Sequence, residues 1–299
     1  MYEDITKNKI KTGIIVGIFL TMITLIIYFL CYAFDFSEYA LFIALAFSVI
    51  STIATYYNCD KVVLASVKAR PATHEEDLQL TNILDALMVS SGLPVKPRLY
   101  VIDSMQANAF ATGRNPNNAV ICVTKGLIEK LNYYELEGVI AHEMSHIKNY
   151  DIRLSAVVSV MVGFVIMLSD IFTRSIFYSR RGRSNDRDKG SGNAILMIIG
   201  LVFLILSPIA SQLIQLAVSR RREYLADATA VSFTRNPDGL ISALKKLSMD
   251  DAELDTASKS SAHMYIVTPF KDKKMSNAKN LLSTHPATED RIKALENLK

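Results

Sequence analysis

Apolar residues in this chain fall into two kinds of block: long charge-free runs, and shorter stretches with helical or strand spacing. Residues 12–34 lie between Lys11 and Asp35 without a charge. At about 1.5 Å per residue, a helix of that length crosses the hydrocarbon of a bilayer. Residues 39–59, between Glu38 and Asp60, form a second such run. A third, 154–169, ends at Asp170 and is short for a span; a fourth, 194–218, is long enough but carries Ser207, Pro208, Ser211, Gln212 and Gln215. The pattern predicts four membrane segments, with roughly residues 194–212 of the last in the bilayer. The first run exceeds a signal-peptide core and lacks a small-residue cleavage site, so it predicts an anchor.

Between these runs the period changes. Glu75–Val89 repeats Leu78, Leu80, Ile83, Leu84 and Leu87 at helical spacing and closes at Gly92-Leu93-Pro94. Arg98–Asp103, Ala109–Gly113 and Ala119–Thr124 read as short strands, with Arg114–Asn118 turning between the last two and Lys125-Gly126 ending the set. Asn132 reads as an N-cap with Glu135 at N3, after which Leu136, Val139, Ile140, Met144 and Ile147 recur at helical spacing. Asn149-Tyr150-Asp151 marks the end of that helix, or its junction with the third apolar run. Pro286 fits the first turn of a last helix running to Leu298, with Glu289 and Asp290 near its N-terminus.

Composition agrees with a membrane protein. Half of the 299 residues are hydrophobic and the mean hydropathy is +0.23, too apolar for a soluble protein with one core. Basic residues flank the spans: Lys7, Lys9 and Lys11 before the first, Lys61, Lys68 and Arg70 after the second, Arg220, Arg221 and Arg222 after the fourth. They predict cytoplasmic flanks. The segment 173–193, with Arg174, Arg180, Arg181, Arg183, Arg187 and Lys189, conflicts with that rule if the third and fourth runs both span. Either the first pair dominates topology or the second pair is a shallow hairpin; the segment's Gly, Ser, Asn and Arg predict a flexible loop. The net charge of +4 comes largely from these clusters. No phosphate-cradling glycine loop or aromatic–basic surface is present, which excludes nucleic acid as a partner. Cys31, Cys59 and Cys122 form no C-x-x-C pair and read as small hydrophobes in a reducing setting.

The chemistry concentrates at His142-Glu143-Met144-Ser145-His146. On a helix, His142 and His146 lie one turn apart on one face and can reach the same metal ion. Glu143 sits about 100° round from His142, where its carboxylate can approach a water at the metal without being a ligand. A catalytic zinc usually takes a third protein ligand. The extended pattern with Gly at 149 and His at 152 is excluded by Asn149 and Ile152, and His74, His263 and His285 stand isolated in polar stretches. Glu223 and Asp227, four apart on the predicted helix after the fourth run, are the better candidates: Glu223 as third ligand, Asp227 as acceptor for the ring of His142 or His146. The alternative is an exposed helix face on which arginines pair with acids. His146 lies eight residues before Leu154, which predicts a metal within about 12–15 Å of the membrane face.

These motifs, in this order, resemble the HtpX family of heat-shock proteases. The likeness rests on H-E-x-x-H at 142–146, R-R-E-x-x-x-D ending at Asp227, Asn108-Ala109-Phe110-Ala111-Thr112-Gly113, and Ser283-Thr284-His285-Pro286 with Arg291-Ile292. With the two N-terminal apolar runs it spans most of the chain; the basic segment 173–193 has no counterpart in it. The resemblance implies a gluzincin-type zinc endopeptidase of the membrane, related to the CAAX prenyl protease. One zinc per chain would be held by His142, His146 and Glu223, with Glu143 as general base. It implies that His285 stabilises the oxyanion and that Arg291 orients this element or the active-site carboxylates. Asn108, Ala109, Phe110 and Ala111 would then form a sheet edge to which substrate adds as an extended strand; an ordinary hairpin packed on the helix fits the residues equally well.

The expected architecture is therefore α+β: a multi-span α-helical membrane protein carrying a zincin-like domain with a small β-sheet. Residues 1–60 form an N-terminal membrane hairpin, 61–151 the first half of the catalytic domain, 152–218 a second hairpin with the basic loop, and 219–299 the second half. The expected location is the plasma membrane, with the N-terminus and site in the cytoplasm and membrane-protein or unfolded polypeptides as substrates. Two other classes are weighed against it. An intramembrane protease would carry the motif within a span, but Glu135, Glu137, Lys148 and Asp151 surround this one. A noncatalytic zinc-stabilised scaffold would close the fourth position and need no Glu143.

Overall fold

The computed structural model describes residues 2–33, 39–181, 219–252, 254–257, 260–269 and 286–298. Helix α1 (Tyr2–Ala33) contains a 21-residue segment, Asn8–Tyr28, that is long and apolar enough to cross a membrane. The second predicted span, 39–59, is filled almost entirely by one helix. Helix α2 (Ala40–Tyr57) gives way at Asn58 to α3 (Cys59–Ser66), and the two are bent by 72°. Asn58 donates its side-chain amide back to the Ala54 carbonyl at 2.9 Å, which turns the chain out of the helical path. Among the described residues α1 alone is long and apolar enough by itself, and α2 qualifies only together with α3. The fourth predicted span, 194–218, lies outside the described residues.

The remaining described elements build one sheet between helices. Strand β1 (Arg70–Pro71) precedes α4 (His74–Ser91), which starts on a Thr73–Glu76 capping box and ends at Gly92 with φ of 64°. Then come β2 (Arg98–Ile102), β3 (Ala109–Gly113), β4 (Ala119–Thr124) and the short α5 (Lys125–Lys130). Lys125-Gly126 ends the set of strands and at once opens a helix, because Thr124 caps it by accepting from Leu127 N–H. The order is β1-β2-β4-β3, with β2 and β4 parallel and the other pairs antiparallel.

Strand alternation decides what each face of the sheet meets. Val101, Ala109, Ala111, Ile121 and Val123 face α4 and the next helix, in a core with Leu80, Leu84, Val139 and Ile140. Ile102, Phe110, Val120 and Cys122 face the other way, onto Val63 and Leu64 of α3 and onto Met264 and Tyr265.

Helix α6 (Tyr133–Lys148) carries the histidine motif and starts on the predicted Asn132–Glu135 capping box. Helices α8 (Arg220–Thr234) and α9 (Pro237–Met249) pack against it, and α10 (Thr288–Glu296) packs on those two. A Cβ on Gly138 would lie 2.8 Å from the backbone nitrogen of Leu240, so α6 and α9 meet backbone to backbone. Helix α10 begins at Thr288, and Pro286 precedes it instead of occupying its first turn.

At Asn149–Tyr150 the chain turns sharply into α7 (Asp151–Arg181), 85° away from α6. Tyr150 takes φ of 61°, a left-handed conformation uncommon for a bulky residue, and it fixes that corner. Leu154, Val157, Val158, Met161, Val162 and Val165 of α7 pack along Ile15, Phe19, Met22 and Ile23 of α1. Helix α7 runs on to Arg181, so residues 173–181 of the expected flexible loop are helical. Nothing in Thr173–Arg181 breaks a helix before Gly182. Residues 182–193 of that loop lie outside the described residues.

Candidate metal centre

Helical spacing and two buried corners converge on one point. His142 Nε2 and His146 Nε2 stand 3.2 Å apart. Glu223, in the first turn of α8, brings Oε2 to 3.7 Å from His142 Nε2 and Oε1 to 3.7 Å from His146 Nε2. Ligand atoms of these three residues all lie within 4.8 Å of one another, the one such group among the described residues. Glu223 thus meets the histidines and not a solvated charged face.

Each imidazole is held from behind by a carboxylate. Asp227 Oδ1 lies 2.9 Å from His142 Nδ1, and Asp151 Oδ2 lies 3.0 Å from His146 Nδ1. In both rings Nδ1–H donates to the carboxylate, which leaves the Nε2 lone pair facing inward. Two such lone pairs 3.2 Å apart repel unless a cation or proton lies between them. Four ligands at 2.0–2.2 Å from a tetrahedral zinc stand roughly 3.3–3.6 Å from each other. The donor set therefore fits a zinc ion in both chemistry and spacing.

Glu143 is 2 % exposed. Burial, together with the nearby Glu223 charge, pushes its carboxyl up to about 7 against the pull of His146, Arg291 and the Ala111 backbone N–H. Burial alone would lower His146, but the Asp151 hydrogen bond and the charges of Glu223, Asp151 and Glu143 lift it to about 9. His142 goes the other way: burial lowers it, helped by the Arg291 and His146 charges, although Asp227 opposes the shift. The same surroundings thus drive the two imidazoles apart in basicity, His146 upward and His142 downward.

Arg291 is 2 % exposed and forms a bidentate pair with Asp227, Nη2 to Oδ1 at 2.7 Å and Nε to Oδ2 at 2.9 Å. Its Nη1 donates to the Ile266 carbonyl at 3.0 Å, and Nη2 lies 3.4 Å from both ring nitrogens of His142. The guanidinium thus rests against the imidazole and neutralises the carboxylate behind it. Burial would raise Asp227, yet Arg291 and His142 hold it down at about 2.

The other candidate residues divide. Ala111 lines the cavity beside Glu143. Ala109 is on the edge strand, but its carbonyl accepts from Ile266 N–H at 3.0 Å. Asn108 donates its side-chain amide to the Val267 carbonyl at 3.0 Å. Phe110 points to the sheet face away from α6 and packs edge-on against Tyr265, ring centroids 5.1 Å apart. Asn108 and Phe110 therefore tie the 265–267 segment to the sheet. His285 lies outside the described residues.

Two participants escaped sequence reasoning. Asp151 read as a helix end or junction and as a charge beside the motif, although a carboxylate five residues after His146 was the available signal. His263 read as an isolated polar residue, yet it is buried and its Nε2 stands 3.3 Å from the Ser155 carbonyl. His263, Met264, Tyr265 and Ile266 wall a cavity of ≈ 30 Å³ over the histidines. That is room for about one water molecule.

Residues 74–299 match the model of peptidase family M48. The chain is 43% identical over 298 residues to a protease HtpX homolog of Dictyoglomus thermophilum, covering 98% of this chain and 93% of that protein. It is 40% identical over 306 residues to the protease HtpX homolog of Listeria monocytogenes, covering both proteins in full. The crystal structure of S. mikatae Ste24p aligns with a TM-score of 0.49 at 19% identity, over 99% of this chain and 67% of that one. With a family model across most of its length and full-length relatives at this identity, the chain belongs to peptidase family M48, as a metalloprotease of the HtpX type.

Proposed function

We propose that this metalloprotease is a membrane endopeptidase that binds one zinc through His142, His146 and Glu223 and uses Glu143 as its general base. One observation carries the reading: a buried carboxylate, Glu143, stands at the same cavity as the three converging ligand residues. A zinc ion held there would polarise the scissile carbonyl and acidify water. Glu143 takes the proton that water loses and returns it to the leaving amine, a role suited to a carboxyl near 7. Asp227 and Asp151 keep both imidazoles in the ligating tautomer, and Arg291 holds Asp227 in place. His285 is proposed, on the family resemblance, to donate to the oxyanion.

Substrate backbone adds to β3 on the Ala111 side, because the Ala109 carbonyl is already engaged by Ile266. The catalytic residues come from 61–151 and 219–299, joined through the membrane hairpin 152–218, with 1–60 forming the first hairpin. The basic flanks of the spans support a plasma-membrane enzyme of four spans with its site in the cytoplasm. Such a site suits loops and unfolded ends of membrane proteins, which supports a role in clearing misfolded or damaged ones.

The test is elemental analysis and casein digestion, with and without chelator, on purified wild type and Glu143→Gln. Both should carry one zinc per chain, and only wild type should digest casein in a chelator-sensitive way. Substantial hydrolysis by Glu143→Gln, or no zinc in either, would reject the assignment.

A further inference from the structure

His146 is held by a chain of contacts that leaves the metal domain altogether. Asp151 offers Oδ2 to His146, and its other oxygen, Oδ1, accepts from the side-chain amide of Asn8 at 2.6 Å. Asn8 belongs to α1, 143 residues away. The same amide nitrogen reaches the Asn149 carbonyl at 3.2 Å. Asn8, Asn149 and Asp151 are all buried, at 4 %, 2 % and 5 % exposure. Lys9 stacks over the ring of Tyr150, 4.6 Å from its centroid. Consecutive residues of the first membrane helix thus grip the left-handed corner between α6 and α7, which the metal ligand depends on. Arg222, next to Glu223, approaches Asp151 Oδ1 less closely, at 3.4 Å.

We propose that Asn8 is a positioning residue for the metal centre: by occupying one oxygen of Asp151 it aims the other at His146. The first span then does more than anchor the enzyme, since its seating against α7 decides how firmly His146 is presented. The physical reason lies in the freedom of a carboxylate. With Oδ1 engaged by a short buried hydrogen bond, Asp151 keeps one rotamer, and Oδ2 meets the imidazole N–H. Without it, the carboxylate turns towards Arg222, and the ring loses its fixed orientation. Outer partners of metal-ligating histidines typically govern affinity by 10–100-fold. An effect transmitted through one more residue falls at or below the lower end of that range.

The inference rests on the zinc assignment above, and the experiment separates the two. Zinc affinity is measured by chelator competition on the full-length protein in detergent, in the Glu143→Gln background so that turnover plays no part. The cobalt(II) absorption spectrum of each variant is recorded as a signature of ligand geometry. Asp151→Ala should weaken zinc about 10–100-fold. Asn8→Leu should weaken it by about 3–10-fold and alter the cobalt spectrum. Asn8→Gln, which keeps an amide donor, should recover part of that loss. In the Asp151→Ala background Asn8→Leu should have no further effect, because its route to the metal is gone. Parent protein that binds no zinc would overturn the metal centre itself. Parent protein that binds zinc, with Asn8→Leu unchanged in affinity and spectrum or equally harmful without Asp151, would overturn the role of Asn8 alone.

Discussion

The two histidines of one helix are supported by two unlike regions. Behind His142 lies a closed, fully charged arrangement: Asp227 accepts from the ring and is clamped by Arg291 through two hydrogen bonds. Behind His146 lies Asp151, held by the neutral amide of Asn8 from a membrane helix. The first support sits within the helix cluster of α6, α8 and α10. The second sits at a corner where a membrane helix meets the catalytic motif. A buried ion pair is costly to break but rigid once made, whereas Asp151 has a neutral amide as its short partner and its cation, Arg222, only at 3.4 Å. Hence the two rings differ in basicity, and the membrane-side ring is the more basic one without metal.

The largest effect should come from breaking the charged side. Arg291→Met leaves Asp227 buried without its counter-ion, and removing one partner of a buried pair costs about 3–5 kcal/mol. The midpoint of thermal unfolding in detergent should fall by several degrees, with or without zinc. An unchanged midpoint would mean that Asp227 is not charged in the folded protein, and the contrast between the two supports would disappear.

A smaller loss is expected from Asp227→Asn. The amide can still accept from His142 Nδ1 through its oxygen, but it no longer carries the charge that balances Arg291. Zinc affinity should drop about 10–100-fold, or roughly 1.4–2.7 kcal/mol. Chelator competition reads this directly. Equal affinity in Asp227→Asn and wild type would show that the carboxylate serves Arg291 alone and leaves the ring to hold itself.

These supports also explain what could be read from the residues and what could not. Glu223 and Asp227 are four apart on one helix, so spacing alone put them on one face. The Asn132 capping box and the three strands 98–103, 109–113 and 119–124 were equally legible, because caps and alternation are local. Asp151 was not. It stands one residue beyond a left-handed Tyr150, where helical periodicity has stopped and no spacing rule gives a direction. Asn8 was further still, since a polar residue at the foot of an apolar run reads as a membrane boundary. Arg291 entered only through resemblance to a family, for its partner lies 64 residues away in sequence. The second run was legible as a helix, but a charge-free run carries no record of the 72° bend that follows it at Asn58. Phe110 was grouped with its neighbours as a substrate contact, although strand alternation sends its side chain to the opposite face from Ala111.

The smallest effect sharpens the comparison most. In the metal-free protein Asp151, Glu223 and Glu143 raise His146 to about 9, despite burial, while His142 is lowered. A raised folded-state pKa stabilises the metal-free fold fully below the unfolded histidine value of about 6.5, and that contribution fades as pH rises through 9. Metal binding runs the opposite way, since zinc must displace the proton. Affinity should therefore rise with pH and level off above about 9. At pH 8, below that value, zinc must still displace the proton, which weakens binding. Glu143, near 7, is mostly ionised at that pH and contributes little. Calorimetric titration with zinc in two buffers of different ionisation enthalpy counts the protons released, and about one per ion is expected from wild type. Asp151→Asn removes the carboxylate that does most to raise His146, so its count should fall towards zero. Asp227→Asn leaves that group in place, and its count should stay near one. Equal counts in the two variants would mean that the proton is shared by both rings, and that the membrane-side support is no different in kind from the charged one.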